Sequence, residues 1–259
     1  MLIMFPSDYF NIKKVDPEYA AEYDIVCQFP EYKILLFNYD EFVSEGTLRT
    51  YPRNYYKGDC IYRGWMLKPE QYKKLYDFLR IVEIRLINSP AEYVACHLFP
   101  EALPIIKPYT PKCLCFEQGS PIDWELINRN FTRFMIKDFV KSVKGTAFPA
   151  YFETPVDMLE MENRVNEFIK LRDNLFTGGI ILKEYIDLKK YNGLTNEYRV
   201  FFIYNRLLSC SRNSCQPNSC TFVPEDFQLK FSILKSNYYT VDFGELEDGT
   251  WMVIETGDG

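Results

Sequence analysis

The chain has 259 residues, 47% hydrophobic and 25% charged, enough to bury a sizeable core and far from a disordered composition. Its net charge of −6 and isoelectric point near 5.1 argue against a nucleic-acid backbone or an anionic membrane as partner. A single histidine, His97, argues against histidine triads and His-rich metal sites.

No charged segment followed by an apolar stretch opens the chain, and no apolar run approaches bilayer length, so a cytoplasmic protein is expected. In that setting the eight cysteines read as reduced thiols. Cys210, Cys215 and Cys220, each five residues apart, lack the spacing of a zinc knuckle. Residues 2–5 and 34–39 are apolar runs of strand length. Between them and the first helix, Arg49, Arg53, Lys57 and Arg63 are interleaved with Tyr51, Tyr55, Tyr56 and Tyr62, a stretch that reads as a solvated loop, with a local basic groove as the alternative. Pro69 suits the first turn of a helix, and Tyr72, Leu75, Tyr76 and Leu79 follow at helical spacing. Residues 82–87 are strand-like and end in the turn signal Asn88-Ser89-Pro90. Strand, helix and strand predict a small N-terminal α/β lobe over residues 1–99. Pro100, Pro104, Pro108 and Pro111 then break regular structure and mark the connection to a second region, 100–259.

Residues 133–140 form an apolar run with Lys137 embedded in it, followed by Lys141-Ser142-Val143-Lys144-Gly145, a small loop with backbone N–H groups to offer a phosphate. A helix is expected next, capped by Thr154 with Pro155 in its first turn. Its apolar face is Met158, Met161, Val165, Phe168 and Ile169, and it stops before Gly178-Gly179. The remainder reads as antiparallel strands: 180–186, then 197–203 and 207–212 around Tyr204-Asn205-Arg206, then 238–243 and 250–255 around Asp248-Gly249. Alternation puts Glu197, Arg199 and Phe201 on one face of their strand, and Tyr198, Val200 and Phe202 on the other.

The last hairpin is the most informative segment. With Asp248-Gly249 as a two-residue turn, Glu247 pairs with Thr250, and counting outward places Asp242 opposite Glu255. Two like charges so placed repel unless a cation offsets them, and carboxylates are the hard ligands that Mg²⁺ takes alongside substrate phosphates.

Taken in order, these elements resemble the ATP-grasp superfamily from about residue 134 to the end of the chain. Phe134-Met135-Ile136-Lys137-Asp138-Phe139-Val140-Lys141-Ser142 is similar to that family's phosphate-contacting strand and loop, which makes Lys137 and Lys141 nucleotide ligands. Ile180-Ile181-Leu182-Lys183-Glu184-Tyr185-Ile186 is similar to its hinge strand, which implies adenine contacts from Lys183, Glu184, Tyr185 and Ile186. Glu197 matches the ribose-binding glutamate, and Asp242 and Glu255 match the metal carboxylates. Together with Tyr62-Arg63-Gly64-Trp65-Met66, the lysine motif resembles the phage-associated clade named for two arginines and one lysine.

Two positions depart from that pattern. Gly257 stands where many members have an asparagine, leaving Asp258 as a substitute metal ligand, and Thr240 stands where many have an arginine, leaving Arg212 to supply that charge. The resemblance implies an ATP-grasp fold, α/β with two lobes clasping ATP, the last of them largely antiparallel sheet. It implies ATP and Mg²⁺ as cofactors and ligation of a carboxylate to an amine through an acyl phosphate, with a peptide or protein among the carboxylate substrates. Arg63, Arg199 and Arg212 are the candidates for gripping substrate and transferred phosphate. Phosphoryl transfer to a hydroxyl, nucleic-acid joining and non-catalytic nucleotide binding are the alternatives.

Overall fold

A computed structural model describes residues 1–53, 56–143, 145–213 and 215–259; Tyr55 of the basic stretch and Lys144 of the loop lie outside these. The chain divides into two compact units, one of residues 1–94, 236–238 and 259, the other of residues 95–235 and 239–258.

The first unit is built on a five-stranded sheet. Its strands lie in the order Thr50–Tyr51, Lys33–Phe37, Leu2–Pro6, Gly58–Tyr62 and Ile84–Leu86, all parallel pairs except the short first one. The helix Pro69–Ile81 buries Tyr72, Leu75 and Leu79 with Leu2, Met4, Leu35 and Phe37, as its period requires. The basic, tyrosine-rich stretch is not a loop throughout. Residues Gly58–Tyr62 form a strand beside the first one, and Cys60 and Tyr62 are buried there. The apolar run Cys60-Ile61-Tyr62 is only three residues long and is flanked by the charges of Lys57, Asp59 and Arg63, which masked it. Residues 236–238 join this unit through Asn88, whose side chain accepts from the N–H groups of Asn237 and Tyr238 and donates to the Tyr238 carbonyl.

The second unit holds two four-stranded sheets and a two-stranded one. The first runs Cys113–Glu117, Gly179–Glu184, Arg133–Asp138, Phe152–Glu153, antiparallel at every pair. The second runs Arg206–Arg212, Glu197–Ile203, Tyr238–Glu245, Trp251–Gly257. Lys190–Tyr191 pairs with Leu194–Thr195. One face of the first sheet buries Phe134, Ile136, Ile180 and Leu182 under Met161, Val165 and Phe168 of the helix Met158–Arg172. Each such side chain contributes roughly 1.5–3 kcal/mol of transfer free energy.

Two expectations are corrected here. The helix Met158–Arg172 is capped by Asp157, which accepts from the Glu160 N–H, and not by Thr154. The proline-rich stretch does not interrupt regular structure: Phe99–Ile106 is a helix that buries Phe99, Ala102 and Ile106. Pro100 lies in the first turn, where no intrahelical N–H donor is needed, whereas Pro104 lies inside the helix, which runs on to Ile106 without that residue's N–H.

Candidate active site

Alternation along the first sheet of the second unit separates its two faces. Ile136 and Leu182 point to the helix, while Lys137 and Lys183 point the other way, toward Phe99. Both lysines are 4% exposed, and their ammonium groups lie 5.1 and 4.4 Å from the Phe99 ring centre. Lys137 Nζ is 2.6 Å from Glu255 Oε1, and Lys183 Nζ donates to the Ile254 carbonyl at 2.6 Å. Lys141 reaches the other Glu255 oxygen at 3.9 Å.

Charge follows from this geometry. Burial alone would lift the Glu255 carboxyl, but the positive charges of Lys137 and Lys141 prevail and hold it down to about 2. Burial, and then the charge of Lys137, push the Lys183 ammonium down to about 7.

The turn that presents Lys137 and Lys141 is organised by Asp138, which is fully buried. One of its oxygens accepts from the N–H groups of Val140 and Lys141, at 2.7 and 2.6 Å. The other takes an ion pair at 2.8 Å from Arg172, in the last turn of the helix. Sequence reasoning gave Asp138 and Arg172 no role. The available signal was a second charge, next to Lys137, inside an apolar run.

The final hairpin brings Asp242 opposite Glu255 by a route other than the expected one. Its loop is Glu247-Asp248-Gly249, one residue longer than a two-residue turn, with Gly249 at φ 84° and the Leu246 N–H donating to the Thr250 carbonyl. Three-residue loops with a left-handed glycine are a common hairpin closure. The longer loop shifts the register by one, so Glu245 faces Trp251, and a bulge between Asp242 and Phe243 shifts it back.

The cations expected between the opposed carboxylates are in part the chain's own. Arg199 grips Asp242 in a bidentate pair at 2.8 and 2.7 Å, as Lys137 holds Glu255. Arg212 is not brought to this pair. It lies opposite Tyr198, on the other side of the strand from Arg199, donates to the Pro217 carbonyl and lies over the Phe222 ring. Asp258 is bonded to His97 Nδ1 at 2.9 Å, and among the described residues no three His, Cys, Asp or Glu side chains gather as a metal cluster. Thr240 and Gly257 turn out to be cross-strand partners, and a Cβ at position 257 would stand 2.6 Å from Thr240 Oγ1. The two departures from the family pattern therefore lie against each other.

The remaining residues are held as follows. Glu197 accepts from the Thr195 hydroxyl. Glu184, Tyr185 and Ile186 line a cleft of about 490 Å³ with Arg133 and, from the hairpin, Leu246 and Glu247. The Tyr185 N–H is already bonded to the Arg133 carbonyl. In the first unit, Arg63 forms a bidentate pair with Glu22 at 2.7 and 2.9 Å and donates to the Gly259 carbonyl at 2.6 Å.

The donor set fits Mg²⁺. Two opposed carboxylates, without a third, are what this ion uses when phosphate oxygens complete its shell, in contrast to an all-protein cage. Lys137, Lys141 and Arg199, now paired with those carboxylates, are cations of the kind that phosphates attract.

Solved structures share this architecture. The D-alanine–D-alanine ligase of Coxiella burnetii matches with a TM-score of 0.62 at 11% identity, over 99% of this chain and 84% of that one. The corresponding ligase of Bacillus anthracis, solved with ATP, matches at 0.57 and 12%, over 99% and 85%. The ATP-grasp ligase PsnB, solved with a minimal precursor, matches at 0.57 and 10%, over 99% and 89%. The fold is that of the ATP-grasp ligases. The model of the ATP-grasp domain family numbered 3 in the clade named for two arginines and one lysine matches residues 123–259, more than half of the chain, which therefore belongs to that family. No curated protein matches the sequence.

Proposed function

We propose that this chain is an ATP- and Mg²⁺-dependent ligase that joins a carboxylate to an amine with release of ADP and phosphate. The observation that carries the reading is the convergence of Lys137, Lys141 and Arg199 on Glu255 and Asp242, the two carboxylates opposed on the final hairpin of an ATP-grasp fold. Asp242 and Glu255 would hold Mg²⁺, which would supply neutralisation of the charge on the ATP phosphates. The protein's share is to position and to balance charge. Lys137 and Lys141, freed from Glu255, face the phosphates, and Asp138 fixes the turn that carries them. Phe99 offers an apolar, aromatic surface beside Lys183, and the cleft at Glu184–Ile186 receives the adenine, with Glu197 directed to the ribose.

A peptide or protein carboxylate is the substrate class we favour. The support is the similarity to PsnB, whose solved complexes contain a precursor peptide. Arg63 is the candidate grip for that anionic group, exchanging Glu22 for it. The reading places the protein in the cytoplasm, where ATP is abundant and thiols stay reduced. Among the described residues no helix is long and apolar enough to cross a membrane.

The test is to incubate the protein with Mg²⁺-ATP and peptides bearing carboxylate side chains and amines, then measure ADP, AMP and new amide mass. ADP with an amide supports the ligase. AMP would point to nucleic-acid joining, ADP with a phosphorylated hydroxyl to a phosphotransferase, and ATP binding without turnover to a sensor; each of these outcomes rejects it.

A further inference from the structure

The edge strand Cys113–Glu117 carries two thiols that the ligase chemistry does not use. Cys113 lies opposite Lys183, with Met135 next across the ladder; Cys115 lies opposite Ile181, with Lys137 next. Directly opposed residues of antiparallel strands share a face, so both thiols stand on the sheet face that presents Lys137 and Lys183. Cys115 is exposed and Cys113 partly so, whereas Cys60, Cys96 and Cys220 are buried.

We propose that Cys113, with Cys115 beside it, is a thiol-exchange site whose occupation by a low-molecular-weight disulfide closes the nucleotide face of this sheet. The exchange itself is independent of the ligase reading, and the closure rests on it.

The two thiols are chemically unequal. A hydrogen bond from Cys115 and the positive charges of Lys183, Lys107 and Lys137 outweigh burial and bring the Cys113 thiol down to about 7, while the same pairing pushes Cys115 up. A thiol near ambient pH is the best attacking group in exchange. The Cys113 thiolate attacks one sulfur of the disulfide. A bond forms between Cys113 and that half, the original S–S bond breaks, and the other half leaves as a thiolate that takes up the proton Cys113 had released. The low-molecular-weight disulfide is itself the oxidant, one of its halves being reduced to the free thiol, and a thiol reductant reverses the step. The adduct then stands one strand from Lys183 and two from Lys137, where phosphates and adenine are proposed to lie.

The experiment treats the full chain with glutathione disulfide, with and without Mg²⁺-ATP, maps the adducts by peptide mass, and titrates ATP before and after. Cys113 should react a few-fold faster than the exposed Cys27 and Cys215, because a well-populated thiolate outweighs the somewhat lower nucleophilicity of a more acidic thiol. Cys115→Ala should slow that reaction, Mg²⁺-ATP should protect Cys113, and the adduct should remove ATP binding until dithiothreitol restores it. Faster reaction at Cys27 or Cys215, or an unchanged ATP affinity in the Cys113 adduct, would overturn the proposal. If the unmodified chain binds no ATP, the ligase reading and the closure fall together, and the relative labelling rates still decide the exchange site.

Discussion

Lys137 and Glu255, 118 residues apart in the chain, meet in an ion pair of 2.6 Å whose lysine is almost wholly buried. The pair ties the strand Arg133–Asp138 to the final hairpin. On the proposed reading Glu255 takes a metal only together with substrate, and Lys137 is its partner until then.

Lys137→Ala is therefore expected to act on both binding and stability. Removing one member of a largely buried pair costs on the order of 1–3 kcal/mol, moderated here because Glu255 keeps Lys141. ATP affinity should fall more than tenfold as the phosphates lose a cation. Isothermal titration and thermal melts on the same variant check this, and an unchanged ATP affinity would return Lys137 to a purely structural role.

Asp242→Asn separates metal binding from structure. Its pair with the half-exposed Arg199 is worth about 0–1 kcal/mol, and the loss of that pair is offset by relief of repulsion from Glu255. Metal-free melting should thus move little, while ADP release should fall by two orders of magnitude or more, on the order of what a lost phosphate-neutralising metal costs. Wild-type turnover in this variant would defeat the metal assignment.

The buried Lys183 gives the stability a signature in pH. Its folded pKa, about 7, lies below its ordinary value near 10.5, so between those limits the unfolded chain binds the extra proton and stability rises with pH. Below pH 7 both states are protonated and the gain is absent. Denaturant melts across pH 7 to 10 should show this rise in the native chain and a flatter profile in Lys183→Met.

Asp138→Asn should loosen the turn that presents Lys137 and Lys141. The variant leaves Arg172 without its buried partner, at a cost of about 2–4 kcal/mol, and weakens two backbone hydrogen bonds. Melting temperature should drop, and KM for ATP should rise. Arg172→Lys, which keeps the charge without the planar fork, should show a smaller loss of both than Asp138→Asn.

Thr240 and Gly257 can be tested as a coupled pair. Gly257→Ala alone should destabilise by roughly 1 kcal/mol through the contact with Thr240 Oγ1, and Thr240→Ala should relieve it, giving a favourable coupling in the double-mutant cycle. Additive effects would separate the two departures.

The sequence alone determined the features that depend on short-range periods and turn chemistry. The helix Pro69–Ile81, the buried and open faces of Glu197–Ile203, and the strand around Lys137 follow from spacing of apolar residues. The opposition of Asp242 and Glu255 was legible too, although a longer loop and a bulge had to cancel for the count to hold. Tertiary structure decided which charges meet. Arg199 and not Arg212 reaches Asp242 because Arg212 shares the side of Tyr198, and Asp258 turns to His97. The proline-rich helix Phe99–Ile106 and the edge strand Cys113–Glu117 owe their form to what they pack against: Phe99 joins a core of distant strands, and the thiol strand pairs with Gly179–Glu184. Such contacts join residues far apart in the chain, and no local pattern of side chains encodes which distant partner will be opposite.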